Sequence, residues 1–178
     1  MHGTVIDDVR SGVADLGMTY VDDVPGEFSS IALGQERLHV VMPDNHPLAT
    51  RRTLTLADVA GHALVSMPKE AQTRRMLDGA AAAAGLSLNH AVTVTQFATI
   101  MEFVHAGVGA AVVPGGAIPA ALEPGLVLKP LSKPALTRSI GVIALKDRSL
   151  TPSAEGFLSA LKTHWMERRD PRGRRGRA

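Results

Sequence analysis

"FVHAGVGAAVVPGG", residues 103–116, carries a Gly-x-Gly pair whose reading decides between two kinds of fold. A dinucleotide fingerprint runs strand, then GxGxxG, then helix, so that the helix N-terminus faces the pyrophosphate. Here the order is reversed. In "FATIMEFVHAG", residues 97–107, Ile100, Phe103, Val104 and Gly107 share one helical face, and the "AAVVP" that follows reads as a strand. Val112 stands where the third glycine would be. Gly107 therefore reads as a helix C-cap and Gly109 as a tight approach to the strand. No GK[ST] occurs, so there is no P-loop.

Working outward, "VIDDVRSG" (5–12) spaces Val5, Ile6 and Val9 for one helix face and ends on Gly12. "ADLGMTY" reads as a buried strand, and "FSSIALG" and "RLHVVMP" as two further strands, the second ending at Pro43. "TLTLADVAG" predicts a short helix capped by Thr55 with Asp58 three residues on. "HALVSMP" is a strand, and Lys69 to Ala84 a long helix stopped by Gly85. Strands follow at "HAVTVTQ", "GLVLKPL" and "TRSIGVIALK". "TPSAEGFLSALKTHW" closes the pattern with Thr151 as N-cap, Pro152 at the first helical position, and Ala154, Phe157, Leu158, Leu161 and Trp165 on one stripe. Strands alternating with helices predict an α/β class with largely parallel sheets.

The 178 residues suffice for one to two domains. Apolar residues make up 45% but aromatics only 3%, so the core must be aliphatic and base-stacking platforms are poorly supplied. The net charge of +2 is unevenly spread: "MERRDPRGRRGRA" (166–178) holds six Arg against two acids, +4, leaving −2 for residues 1–165. The absence of cysteine excludes disulfides, thiolate metal sites and Cys nucleophiles, and fits a reducing cytoplasm. No basic segment leads into an apolar one at the start, and the longest apolar runs fall short of the ~20 residues a membrane helix needs. A soluble, cytoplasmic protein is expected.

Nothing in the residues demands an enzyme. His39, His46, His62, His90 and His105 are scattered, with no HxxxH or HExxH, so no metal site is expected. There is no GxSxG elbow. Asp7-Asp8 and Asp22-Asp23 read as solvated surface pairs. No cofactor is expected. The Arg-rich tail could touch nucleic acid through phosphate charge alone, and no helix-turn-helix pattern accompanies it.

Read together, "SGVADLGM", "LGQERLHVVMPDNHPLATRRTLTLADVAG", "TRRMLDGAAAAAG", "FVHAGVGAAVVP" and "RSIGVIALKDRSLTPSAEGFLSALKTHW" occur in an order that resembles the effector-binding domain of LysR-type transcriptional regulators, over about residues 4–165. The resemblance implies a two-lobed, periplasmic-binding-protein-like (type 2) α/β fold clasping a small effector. It implies an incomplete first lobe of residues 1–42 plus 139–165, a second lobe of 43–138, hinges near Pro43 and Arg138, and a disordered basic tail at 166–178. Carried onto this chain, the ligand-binding residues would be Met67, Pro68 and Gln72 after one strand, Thr95, Gln96 and Phe97 after another, Pro114 at the end of a third, and Thr19 from the other lobe. Two of these groups lie before helix N-termini, whose free N–H groups suit a carboxylate. The caps Thr95 and Gln96 and the apolar Phe97 are equally explained as ordinary helix-start and core residues.

The chain departs from the family pattern at its start. The winged helix-turn-helix and linker helix are not in it, nor are the strand, helix and second strand expected before "VIDDVRSG". The first lobe would then have an unpaired sheet edge. Expected partners are a small-molecule effector, an organic acid by class, and a homodimer weakened by the missing elements; no membrane and no specific nucleic-acid contact are expected. The function implied is a transcription-regulating sensor whose DNA-binding part lies elsewhere. The alternatives are a non-functional or protein-interaction remnant and a solute-binding protein, the latter lacking an export signal. Effector identity, target promoter, the sign of regulation and the true start codon stay open.

Overall fold

The computed structural model describes residues 2–119 and 121–169. In chain order the elements are α1 (His2–Ser11), β1 (Gly17–Tyr20), β2 (Phe28–Pro43), α2 (Leu56–Ala60), β3 (Ala63–Ser66), α3 (Gln72–Ala83), β4 (Asn89–Thr93), α4 (Phe97–His105), β5 (Ala111–Pro114), β6 (Leu126–Pro130), β7 (Thr137–Leu145) and α5 (Pro152–Arg169). They fall into two compact units: Met1–Gln35 with Arg138–Ala178, and Glu36–Thr137. Among the described residues no helix is long and apolar enough to cross a membrane.

In the first unit β7 lies between β1 and the start of β2, and β1 pairs with it antiparallel from Gly17↔Ile143 to Tyr20↔Ile140. Successive residues of β7 serve opposite faces, as a strand's period of two dictates. Ile143 packs with Ile6, Val9 and Phe28, placing α1 on one side; Val142 packs with Leu33 and Leu158, placing α5 on the other. A β-carbon on Gly17 would fall 2.7 Å from Val5 and 2.9 Å from Val9, so glycine lets α1 settle on β1. Gly12, at φ +77°, ends α1 as expected.

At α5 Thr151 caps the first turn, its Oγ1 accepting from the Ala154 N–H at 3.3 Å. Ala154 and Leu158 are buried and Leu161 and Trp165 pack beside them, but Phe157 is 61% exposed. At 3.6 residues per turn Phe157 sits roughly 60° off Ala154, outside the narrow stripe that the other four form. The helix also runs to Arg169, past the Trp165 end that was expected. The remainder of the expected tail, 170–178, lies outside the described residues.

The second unit is built on the strand order β4, β3, β5, β2, β6. β3 and β4 pair in parallel, from Ala63↔Asn89 to Ser66↔Thr93. β5 joins β3 through Val65 N–H to Ala110 O (2.8 Å) and Ala110 N–H to Ala63 O (3.0 Å), a parallel bridge. The second half of β2 pairs antiparallel with both β5 and β6. Alternation along β2 again makes two layers. Leu38, Val40 and Met42 pack with Leu54, Leu56, Val59 and Leu77 under α2 and α3; Val41 packs with Val65, Ile100, Val104 and Val113 under α4. These aliphatic side chains are almost wholly buried, each contributing roughly 1.5–3 kcal/mol by transfer.

Three expectations are corrected. The sheets are mixed, with β1/β7, β2/β5 and β2/β6 antiparallel, because apolar period locates a strand without giving its direction. The two strands read at 28–34 and 37–43 are one 16-residue strand, since Gly34 permits a turn without requiring one. And α3 begins at Gln72, because Lys69 and Glu70 form a turn, closed by Ala71 N–H to Pro68 O (3.0 Å), and Ala71 is extended at φ −69°, ψ 134°.

Candidate functional site

In the second unit β3, β4 and β5 run the same way, so their carboxyl ends share one edge of the sheet. Ligands of open α/β sheets bind outside such ends, where chain leaves the sheet for helices. Met67 and Pro68 follow β3, and Gln72 is the first residue of α3. Thr95 and Gln96 follow β4, and Phe97 is the first residue of α4. Pro114 ends β5, paired with Leu38, and leads into a short 3-10 turn over Gly115–Ala117. The structure thus places these seven residues at the carboxyl ends of three adjacent strands. Thr19 belongs to the first unit, on β1 opposite Gly141, and is buried at 8% exposure. Near it the Arg138 guanidinium stacks 3.6 Å from the Tyr20 ring centroid.

The chemistry of the shared edge is that of hydrogen-bond donors. The N-cap positions of α3 and α4 are Ala71 and Gln96, and neither makes a side-chain cap hydrogen bond. Both helices therefore start with backbone N–H groups that no capping side chain satisfies, and each carries the partial positive charge of a helix start. Thr95 and Gln96 are exposed. Met67 and Phe97 also pack against the α4 core, so part of their role is structural. Gln72 adds an acceptor: its Oε1 is shielded from solvent and has no hydrogen-bond partner. A buried amide oxygen left so costs about 1–3 kcal/mol.

Behind the β3 end lies a polar network that scattered histidines in the sequence did not announce. Ser66 Oγ is 2.6 Å from His90 Nδ1, and His90 Nε2 is 2.8 Å from Asp78 Oδ1. Arg74 donates from Nε to Asp78 Oδ2 (2.7 Å) and from Nη1 to the Met67 carbonyl (3.2 Å). Burial, then the nearby Arg74 charge, holds the His90 imidazole below its usual pKa, against the opposing pull of Asp78. The parallel pairing of β3 and β4, which sets His90 opposite Leu64, brings Ser66 and His90 near one another, and no pattern local in the sequence signals it. In the turn after β2, His46 is likewise pushed down by burial and by His62, whose ring lies 4.7 Å away, while His46 Nδ1 accepts from the Leu48 N–H. His105, at the end of α4, pairs with Glu123 at 3.0 Å.

Among the described residues no cluster of three metal-ligating side chains occurs. A cavity of about 170 Å³ in the first unit, between β7 and α5, is lined mainly by aliphatic residues including Leu16, Ile31, Val142 and Leu158, and holds none of the candidate residues.

Residues 1–166 match the family model described as LysR substrate binding domain. The transcriptional dual regulator GltC of Bacillus subtilis (strain 168) is 30% identical over 147 residues, covering 80% of this chain and 49% of that protein. The effector binding domain of QuiR, in complex with shikimate, superposes with TM-score 0.80 at 20% identity, over 92% of this chain and 78% of that one. The regulatory domain of Synechocystis PCC6803 CcmR, in complex with 2-PG, gives TM-score 0.82 at 15% identity, over 91% and 78%. At such identities these two structures establish likeness of fold. The chain spans about half the length of the curated relatives it matches, between 40% and 55%.

Proposed function

Because the chain belongs to the LysR substrate-binding domain family, we propose that it is the small-molecule sensor of a transcriptional regulator. It binds its effector without transforming it, and acts in the cytoplasm. DNA is read by the part of such regulators that this chain does not match, and effector binding shifts the population of states that this part responds to.

The observation that carries the reading is the pair of uncapped helix starts, α3 and α4, at the carboxyl ends of adjacent parallel strands. Unsatisfied N–H groups and partial positive charge favour a carboxylate there. The Gln72 amide, in the first turn of α3, is proposed to meet a polar group on the same molecule. The effector we propose is therefore a small organic acid that also bears a hydroxyl or amino group. Shikimate, bound by the fold-mate QuiR, has that chemistry. Met67, Pro68, Thr95, Gln96, Phe97 and Pro114 are proposed as the surrounding contacts, and Thr19 enters through the family resemblance alone.

Isothermal titration of the whole chain against shikimate, other hydroxy acids, amino acids and aromatic acids tests this. At least one acid should bind at one per chain and be recovered chemically unchanged. Gln72→Leu should weaken binding of that acid by about tenfold, the worth of a lost hydrogen bond. A panel with no binder, or one converted to product, would overturn the sensor reading.

A further inference from the structure

We propose that His90 is a positioning residue: with its proton on Nε2 it holds the Ser66–Gln72 segment in place, and taking up a second proton reverses its bond to Ser66 and shifts that segment. The proposal rests on the sensor reading only for what the segment would bind.

The direction of each hydrogen bond follows from which atoms carry protons. A carboxylate only accepts, so the 2.8 Å contact to Asp78 requires the proton on His90 Nε2. In the neutral ring Nδ1 is then bare, and at 2.6 Å it accepts from the Ser66 hydroxyl. Asp78 is itself fixed by Arg74, whose other nitrogen grips the Met67 carbonyl. Two ends of one network thus hold two consecutive residues, Ser66 and Met67, at the point where β3 gives way to the loop. Only Pro68 and a single turn separate that point from Ala71, the uncapped start of α3. Three elements, β3, α3 and β4, meet at one imidazole.

Protonation reverses the Ser66 bond. Nδ1 becomes a donor, and the Ser66 O–H must turn away from it within surroundings where Ser66 is only 7% exposed. The ring also becomes a cation near Arg74. The charged groups facing His90 are Asp78 and Arg74, both from α3; β3 contributes the Ser66 hydroxyl. Burial and the Arg74 charge hold the ring's pKa below its ordinary value, against the opposing pull of Asp78, and so favour the neutral ring.

The test is a pH titration of the ¹⁵N-labelled full chain by NMR, from pH 8 to 5, following the histidine ring nitrogens and backbone amides. At pH 8 His90 should be the Nε2–H tautomer. The amides of Met67 and of residues 69–72 should move with the midpoint of His90. Ser66→Ala removes a donor to the neutral ring and should raise that midpoint; Asp78→Asn removes the countercharge and should lower it, each by roughly half a unit or more. In His90→Gln the same amides should lose their pH response while those of α5 are unaltered. A proton on Nδ1, a midpoint unmoved in both Ser66→Ala and Asp78→Asn, or loop amides that titrate unchanged in His90→Gln would each overturn the proposal. Should His90→Gln fail to fold, the two opposite midpoint shifts decide. No added acid enters these readouts, so failure of the effector panel and failure of this network are separate results.

Discussion

A β-carbon on Gly109 would collide with the carbonyl oxygen of Ala63, so β3 and the start of β5 can lie this close only with glycine there. The obstacle is backbone and cannot swing aside as a flexible side chain would. Gly109→Ala is expected to destabilise the second unit by about 1–3 kcal/mol, the usual cost of overpacking. Urea denaturation followed by amide exchange in β3 and β5 would check it.

Gly79 is the opposite case. It lies inside α3, and nothing stands within 4 Å of where its β-carbon would be. Gly79→Ala should therefore stabilise the helix by about 0.5–1 kcal/mol, through the lower backbone entropy of alanine in the unfolded chain. A raised urea midpoint with an unchanged slope is the expected result.

The capping box of α2 predicts a local loss. Thr55 Oγ1 accepts from the Asp58 N–H, and Asp58 Oδ2 accepts from the Thr55 N–H at 2.9 Å. Thr55→Ala should cost about 1 kcal/mol. The Thr55 backbone and hydroxyl bonds, with the Arg51 charge, hold Asp58 below the usual carboxylate pKa. Its stabilisation is therefore present above the unfolded value and is lost as pH falls through the folded one. The protection of α2 amides, measured against their intrinsic exchange rates, should fall below about pH 4, and Asp58→Asn should flatten that response.

His46 and His90 predict a second pH window. Both are held below the usual histidine value, chiefly by burial. Between the folded value and about 6.5 the unfolded chain binds more protons than the folded one. Stability of the second unit is then full above about pH 6.5 and declines as pH falls below it. Urea titrations at pH 7.5 and 5.5 should show a lower midpoint at the acid pH, and a smaller drop in His90→Gln.

The cap at Thr55, the left-handed Gly107 at φ +78° and the start of α5 at Thr151 could all be read from the chain, because each depends on residues within three or four positions. The segments after β3, β4 and β5 could be named as site candidates because the family's ordered motifs mark them. The orphaned Gln72 oxygen was not legible, since whether an amide finds a partner depends on neighbours remote in sequence. Nor was the Ser66–His90–Asp78 chain, whose members are separated by 24 and 12 residues.

The sequence by itself determined the element types, the aliphatic core and the family, because hydrophobic period, caps and motif order are local or additive properties of the chain. Tertiary structure alone decided strand direction, the continuity of β2, the exposure of Phe157 and which histidine meets a serine and an aspartate. Those depend on which distant segments pair and in what register, and a one-residue change of register sends every side chain of a strand to the other face.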